Sequence, residues 1–247
     1  MEKNSMALEI PCYMTDCNYR LRASSFMELA QVMAMEGSRS LGFGYDRLDR
    51  EHKAWILYRM QFRMLRPVMW HDLVTIKTWH RGLEGVSFLR DYELLGEDGE
   101  RSVIGTSSWI VMDTEKRSFV RNEDLPDFIS VVPQCSESML EAPARKVVLP
   151  RGAELEPVCE HLVAYSDVDF VGHTNNVKYV VWAMDAVDPG LSSTMPVKEV
   201  TVNFNSEARL GDKVRILRHK DHTGDSDIYY VEGFVGDKQS FAVKLVF

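Results

Sequence analysis

Between about residues 55 and 65, Ile56, Tyr58, Met60, Phe62 and Met64 alternate with Arg59, Gln61 and Arg63, the period-two pattern of a strand with one face in a core. Similar runs follow at about 73 to 81, 86 to 95 and 103 to 112. Ahead of them Phe26, Leu29, Ala30 and Met33 recur at helical spacing. Ser25 to Glu28 offers a capping box for that helix, and Gly42 a stop. The second half repeats the order: a short strand near 161 to 166, a helix at about 174 to 187 closed by Pro189 and Gly190, then strands at about 197 to 206, 212 to 219, 227 to 235 and 240 to 247. The second helix carries Val180, Val181, Trp182, Ala183, Met184 and Val187, apolar nearly all round, so it has to be wrapped by other structure.

The halves also share a turn, MWHDLVTI at 69 to 76 and RLGDKVRI at 209 to 216. An internal duplication follows, with an α+β fold in which each copy is one helix and one antiparallel sheet. The expected units are 1–115, a connector at 116–158 holding Pro126, Pro133, Pro143, Pro150 and Pro157, and 159–247. Pairing the shared turns sets Pro67 opposite Glu207, and nothing at the head of the first helix reads like Asp169 and His173. The second half is therefore expected to be catalytic, and the first to bind an apolar ligand.

The chain has 247 residues, 45% of them apolar, enough for a substantial core. No apolar run approaches a membrane span, and the start lacks secretory or transit character, which together predict a cytosolic protein. A formal net charge of -8 argues against nucleic acid as a partner. Cys12, Cys17, Cys135 and Cys159 form no CxxC pair and read as reduced thiols, and the seven His residues show no metal-binding spacing, so no metal or cofactor is expected.

The densest chemistry lies in YSDVDFVGHTNNVKYVVW, from Tyr165 to Trp182. Asp167 and Asp169 share a face if the strand runs through them. Gly172 permits a sharp turn, and Thr174 or Asn175 can cap the following helix. The first amides of that helix are unpaired donors at its positive end, suited to a carbonyl oxygen that gains charge.

This segment resembles the strand-to-helix motif of acyl-acyl carrier protein thioesterases. WILYRMQFRMLRPVMWHDLVTIKTW, FLRDYEL and SSWIVMD resemble stretches of that family's first half in the same order. The resemblance runs from about Tyr19 to the C-terminus and implies a tandem (double) hotdog, two long helices each wrapped by an antiparallel sheet. It also implies hydrolysis of fatty acyl thioesters carried on phosphopantetheine, with acyl carrier protein as partner. By motif, Asp169 and His173 match the family's catalytic Asp and His, and Glu207 its acidic residue on the next strand. The family's Asn between Asp and His is Val171 here, and the Cys that often follows the Glu is Ala208, which rules out a thiol nucleophile at that position.

Thioester hydrolysis needs an oriented water, a base and oxyanion donors. An alkanethiol with a pKa near about 8.5 leaves readily. Glu207 is read as base and Asp169 as water orienter, two carboxylates in a low-dielectric site raising one another's pKa. His173 and the amides from Gly172 to Asn176 are read as donors to the thioester oxygen. Val171, Gly172, Asn175, Asn176 and Lys178 are assigned to the substrate's thioester and pantetheine end, and Phe26, Met33 and Met60 to its acyl chain. An acyl-coenzyme A thioesterase and a weakly active or non-catalytic acyl-binding protein are the alternatives. Chain-length preference and association into a homodimer stay open.

Overall fold

The computed structural model describes residues 3–131 and 133–247. In chain order it contains β1 (Asn4–Glu9), α1 (Ala23–Ser40), α2 (Tyr45–Arg50), β2 (Lys53–Met64), β3 (Leu73–Glu84), β4 (Ser87–Gly96), β5 (Arg101–Asp113), β6 (Ser118–Phe119) and α3 (Pro126–Ile129). It continues with β7 (Glu156–Leu162), α4 (Asn176–Asp185), α5 (Pro189–Ser192), β8 (Glu199–Phe204), β9 (Lys213–Thr223), β10 (Ser226–Val235) and β11 (Lys238–Val246).

The strands form one antiparallel sheet in the order β1-β3-β4-β5-β2-β8-β11-β10-β9-β7, with β6 added beside β5. The second five strands repeat the first five in reverse, so the halves meet at β2 and β8, paired from Arg59 with Asn203 to Arg63 with Glu199. Each sheet half curls around one helix, the tandem hotdog arrangement. Within each half the third and fourth sheet strands are joined by a tight turn through a left-handed glycine, Gly85 (φ +59°) and Gly224 (φ +61°), a conformation that costs other residues. The shared turn is the same structure twice. Asp72 Oδ2 accepts from Met69 N–H at 2.7 Å, and Asp212 Oδ2 from Arg209 N–H at 2.7 Å.

The two helices lie inside one continuous core. Phe26 of α1 packs on Phe62 of β2 with ring centroids 5.0 Å apart, while Tyr179 and Trp182 of α4 pack on Phe241 of β11. Phe62 is fully buried, and truncation to Ala would cost about 3–5 kcal/mol. The connector is strapped to the sheet by polar contacts. Trp79 Nε1 donates to Glu137 O at 3.0 Å, Asp91 Oδ2 accepts from Met139 N–H at 2.8 Å, and Asn203 Oδ1 accepts from Val147 N–H at 2.6 Å.

Two local readings are corrected. Helix α1 begins at Ala23 behind Arg22, which supplies no side-chain cap, so Ser25 is buried inside the helix and the Ser25–Glu28 capping box does not form. The strand expected near 161 to 166 ends at Leu162, and a single 3-10 turn at Tyr165–Asp167 follows. Asp167 and Asp169 therefore do not share a strand face. Among the described residues no helix is long and apolar enough to cross a membrane.

Candidate active site

The turn before α4 is organised by one carboxylate. Asp169 Oδ1 accepts from Val171 N–H at 3.0 Å and His173 N–H at 3.3 Å, while Asp169 N–H donates to His173 O at 2.8 Å. Gly172 closes the turn at φ +86°, where a side chain would be strained. Asn175 is the N-cap, its Oδ1 accepting from Val177 N–H at 2.9 Å. Thr174 then ties the turn to the chain after β8, its Oγ1 donating to Ala208 O at 2.7 Å, and Ala208 N–H donates to the Tyr179 hydroxyl at 3.0 Å. Held on both sides, residue 208 fixes its neighbour Glu207 beside His173, with Oε1 3.5 Å from Nδ1.

Glu207 is also flanked by Arg117 and Arg209, whose Nη2 atoms lie 3.5 and 3.4 Å from Oε2. Arg117 comes from the turn between β5 and β6 and holds a left-handed backbone (φ +51°). Its position in a turn after β5 left no sequence signal. The Glu207 and His173 side chains are 36% and 43% exposed, so the pair is open to solvent, unlike the low-dielectric surroundings expected from sequence, and Glu207 is flanked by cations.

Both halves wall a cavity of about 1020 Å³ that Asp169, His173 and Glu207 line. Val171 stands half-exposed on its wall beside Phe170, whose ring meets Tyr45 of α2 at 5.4 Å. Asn176 lines it too, and its N–H takes no part in the turn's hydrogen bonds, whereas the amides of Gly172 to Asn175 are committed to Asp169, Ala208 and Asp167. Gly172 and Asn175 thus shape the turn and do not line the cavity. Lys178 points away, 3.6 Å from Asp167. Asp167 is buried; burial alone would raise its pKa, but the Ala164 N–H, His161 and Lys178 together hold it below the usual carboxylate value.

The acyl-chain residues are corrected. Phe26, Met33 and Met60 are packed in the core and do not line the cavity. Its apolar wall is instead Trp55, Phe88, Trp109 and Phe128, with Trp55 5.1 Å from Phe88 and 5.5 Å from Phe128. Trp55, Phe88 and Trp109 sit on strands and Phe128 on α3 of the connector, four separate stretches that only the fold brings together, which is why sequence did not single them out.

The head of α1 repeats the turn, contrary to the asymmetry expected from sequence. Asp16 Oδ1 accepts from Asn18 N–H at 2.8 Å and Arg20 N–H at 2.9 Å, and Tyr19 takes the left-handed place of Gly172 at φ +62°. Leu21 N–H donates to Val68 O as Thr174 N–H does to Ala208 O, so Pro67 does correspond to Glu207. Here the turn is sealed: Asn18 Nδ2 donates to Ser193 O at 2.5 Å, and Arg20 donates to Thr194 O at 3.1 Å and to Asp16 Oδ2 at 2.9 Å. The Asp followed four residues later by a basic side chain, TDCNYR against SDVDFVGH, was the available signal.

Comparison with known proteins shows the family and the fold. Residues 2–129 match the family described as acyl-ACP thioesterase N-terminal domain, and residues 155–240 its C-terminal domain. An oleoyl-acyl carrier protein thioesterase of Coriandrum sativum is 23% identical over 92% of this chain and 65% of its own length. A palmitoyl-acyl carrier protein thioesterase of Gossypium hirsutum is 26% identical over 82% of this chain and 51% of its own. The chain thus spans less than two thirds of these relatives. An acyl-ACP thioesterase from Bacteroides thetaiotaomicron has the same fold, with a TM-score of 0.82 at 19% identity over 99% of this chain and 97% of that one. The 12:0-ACP thioesterase of Umbellularia californica superposes with a TM-score of 0.75 at 18% identity, covering 98% and 96% of the two chains.

Proposed function

The chain belongs to the acyl-acyl carrier protein thioesterase family, and from that membership we propose that it hydrolyses fatty acyl-acyl carrier protein to free fatty acid in the cytosol. The observation that carries this reading is the convergence of His173 and Glu207, 3.5 Å apart, on the wall of a cavity that also holds the aromatic cluster of Trp55, Phe88, Trp109 and Phe128. In this assignment 1–115 binds the acyl chain and 159–247 performs the chemistry.

Glu207 takes the proton of a water that attacks the thioester carbon, and the C–S bond then breaks to release the pantetheine thiol. Asp169 spends Oδ1 on the turn, while Oδ2 has no protein partner among the described residues and is available to orient that water. His173 and the Asn176 N–H supply donors for the oxyanion. Ala208 is fully buried behind Glu207 and contributes only its backbone.

The acidic carrier protein would meet a rim where Arg39, Arg50, Arg117 and Arg209 line the cavity. Purified protein given matched acyl-acyl carrier protein and acyl-coenzyme A, with thiol release followed over time, tests the assignment. Faster release from the carrier protein is expected; release from coenzyme A alone, or from neither, would overturn it.

A further inference from the structure

A buried polar belt crosses the inner face of the first half, and it separates the aromatic chamber from the core. Phe88, Arg90 and Tyr92 alternate on that face of β4. Phe88 belongs to the aromatic cluster with Trp55 and Phe128, Tyr92 to the core with Phe26 and Met60, and Arg90 lies between them. Arg90 Nη1 donates to Thr78 Oγ1 at 3.3 Å, the Tyr92 hydroxyl meets Ser107 Oγ at 3.0 Å, and Trp109 Nε1 donates to Ser107 Oγ at 2.7 Å. Thr78, Tyr92 and Ser107 are fully buried and Arg90 is 7% exposed, yet Arg90 lines the cavity.

Among the described residues Arg90 has no carboxylate in ion-pair range, and Thr78 is its one side-chain hydrogen-bond partner. Burial holds its pKa below the usual arginine value. Its guanidinium rests on α1 at Gly37, where a methyl group would overlap Nη1. The pairing register carries Arg90 through Ser107 and Met60 to Val202, three strand spacings or about 14 Å from β8. The charge therefore lies deep in the first half. Its remaining N–H donors need water or polar ligand atoms, and an alkyl terminus offers neither.

We propose that Arg90 sets the upper limit of acyl-chain length: the alkyl chain fills the aromatic chamber until its methyl end meets the guanidinium, and a longer chain has to strip that charge of its polar partners. Arg90 is thus a specificity-determining residue, and the inference rests on the thioesterase reading. It also accounts for the position of Phe26, which packs on Phe62 one row beyond Arg90 and out of the chain's reach.

The test is calorimetric binding of a homologous series of saturated acyl-pantetheine amides, in which nitrogen replaces the thioester sulfur so that nothing is hydrolysed. For the native protein, affinity should climb about 4-fold per methylene and then drop at a fixed length. Arg90→Met, which keeps the side chain's bulk and removes its charge, should move the drop to longer chains. Gly37→Ala, which pushes the guanidinium off the helix and favours helix formation, should move it to shorter ones. An unchanged limit in folded Arg90→Met overturns the proposal; if that variant does not fold, an unchanged limit in Gly37→Ala does. A native protein that binds the series with this limit but releases no thiol from acyl-acyl carrier protein would defeat the enzyme assignment and leave the length limit standing.

Discussion

Val171 shows how one side chain divides the two copies of the turn. Its counterpart Asn18 donates its amide to Ser193 O, whereas Val171 offers the cavity only its backbone and an apolar surface. Because Val171 is half-exposed, Asn at this position would not bury an unsatisfied amide. Val171→Asn should leave stability within about 0.5 kcal/mol and raise turnover about 10-fold by adding an oxyanion donor. Unchanged or lower turnover would refute that role. His80 gives a second residue-scale prediction. Burial, then the charge of Arg90, lowers its pKa from 6.5 to about 4, so the ring is neutral in the fold. As pH falls below 6.5 the unfolded chain takes up this proton and the folded one does not, so stability is lost between there and about 4. For one such group the loss from pH 7 to 5 is about 2 kcal/mol, and His80→Gln should lose that much less in urea unfolding over the same interval. An identical loss would show that other groups carry the acid sensitivity. Sequence drew attention to Asp169, His173 and Glu207, which do line one cavity, because their types and spacing are distinctive, while Arg90 and Arg117 were missed, since strands and a turn bring them there.

At the scale of elements, alternation located the strands of both halves, from Ile56 to Met64 of β2 to Phe241 to Leu245 of β11. Boundaries set by capping were less legible: α1 takes its start from the Asp16 turn ahead of it, not from Ser25 and Glu28. The register between the turn before α4 and the end of β8 depends on α4 as well. Tyr179, buried on α4, accepts the Ala208 N–H, and Tyr179→Phe would leave that buried donor unpaired at a cost of about 1–3 kcal/mol. Turnover should fall with stability, because Glu207 is the next residue. Full stability in the variant would mean that Thr174 alone holds residue 208.

In the whole molecule, pairing of β2 with β8 brings two equivalent turns to a common sheet, and different loops decide their fates. The first-half turn is closed by the chain after α5 through Ser193 and Thr194, while the second-half turn faces α2 across the cavity. Sequence disclosed the duplication but not which copy was sealed, since the seal is made by backbone carbonyls that carry no side-chain signature. Docking of an acidic carrier on the basic rim should be screened by salt. Raising ionic strength should therefore increase KM for acyl-acyl carrier protein more than for acyl-coenzyme A, and a salt-independent ratio would remove the electrostatic contribution. The central claim is that Glu207, held between His173 and two arginines, activates water for thioester hydrolysis. It is tested most directly by single-turnover thiol release from acyl-acyl carrier protein in the native protein and in Glu207→Gln. The account predicts release by the native chain and a loss of at least about 100-fold in a variant that still folds and binds substrate; near-native release by Glu207→Gln would contradict it.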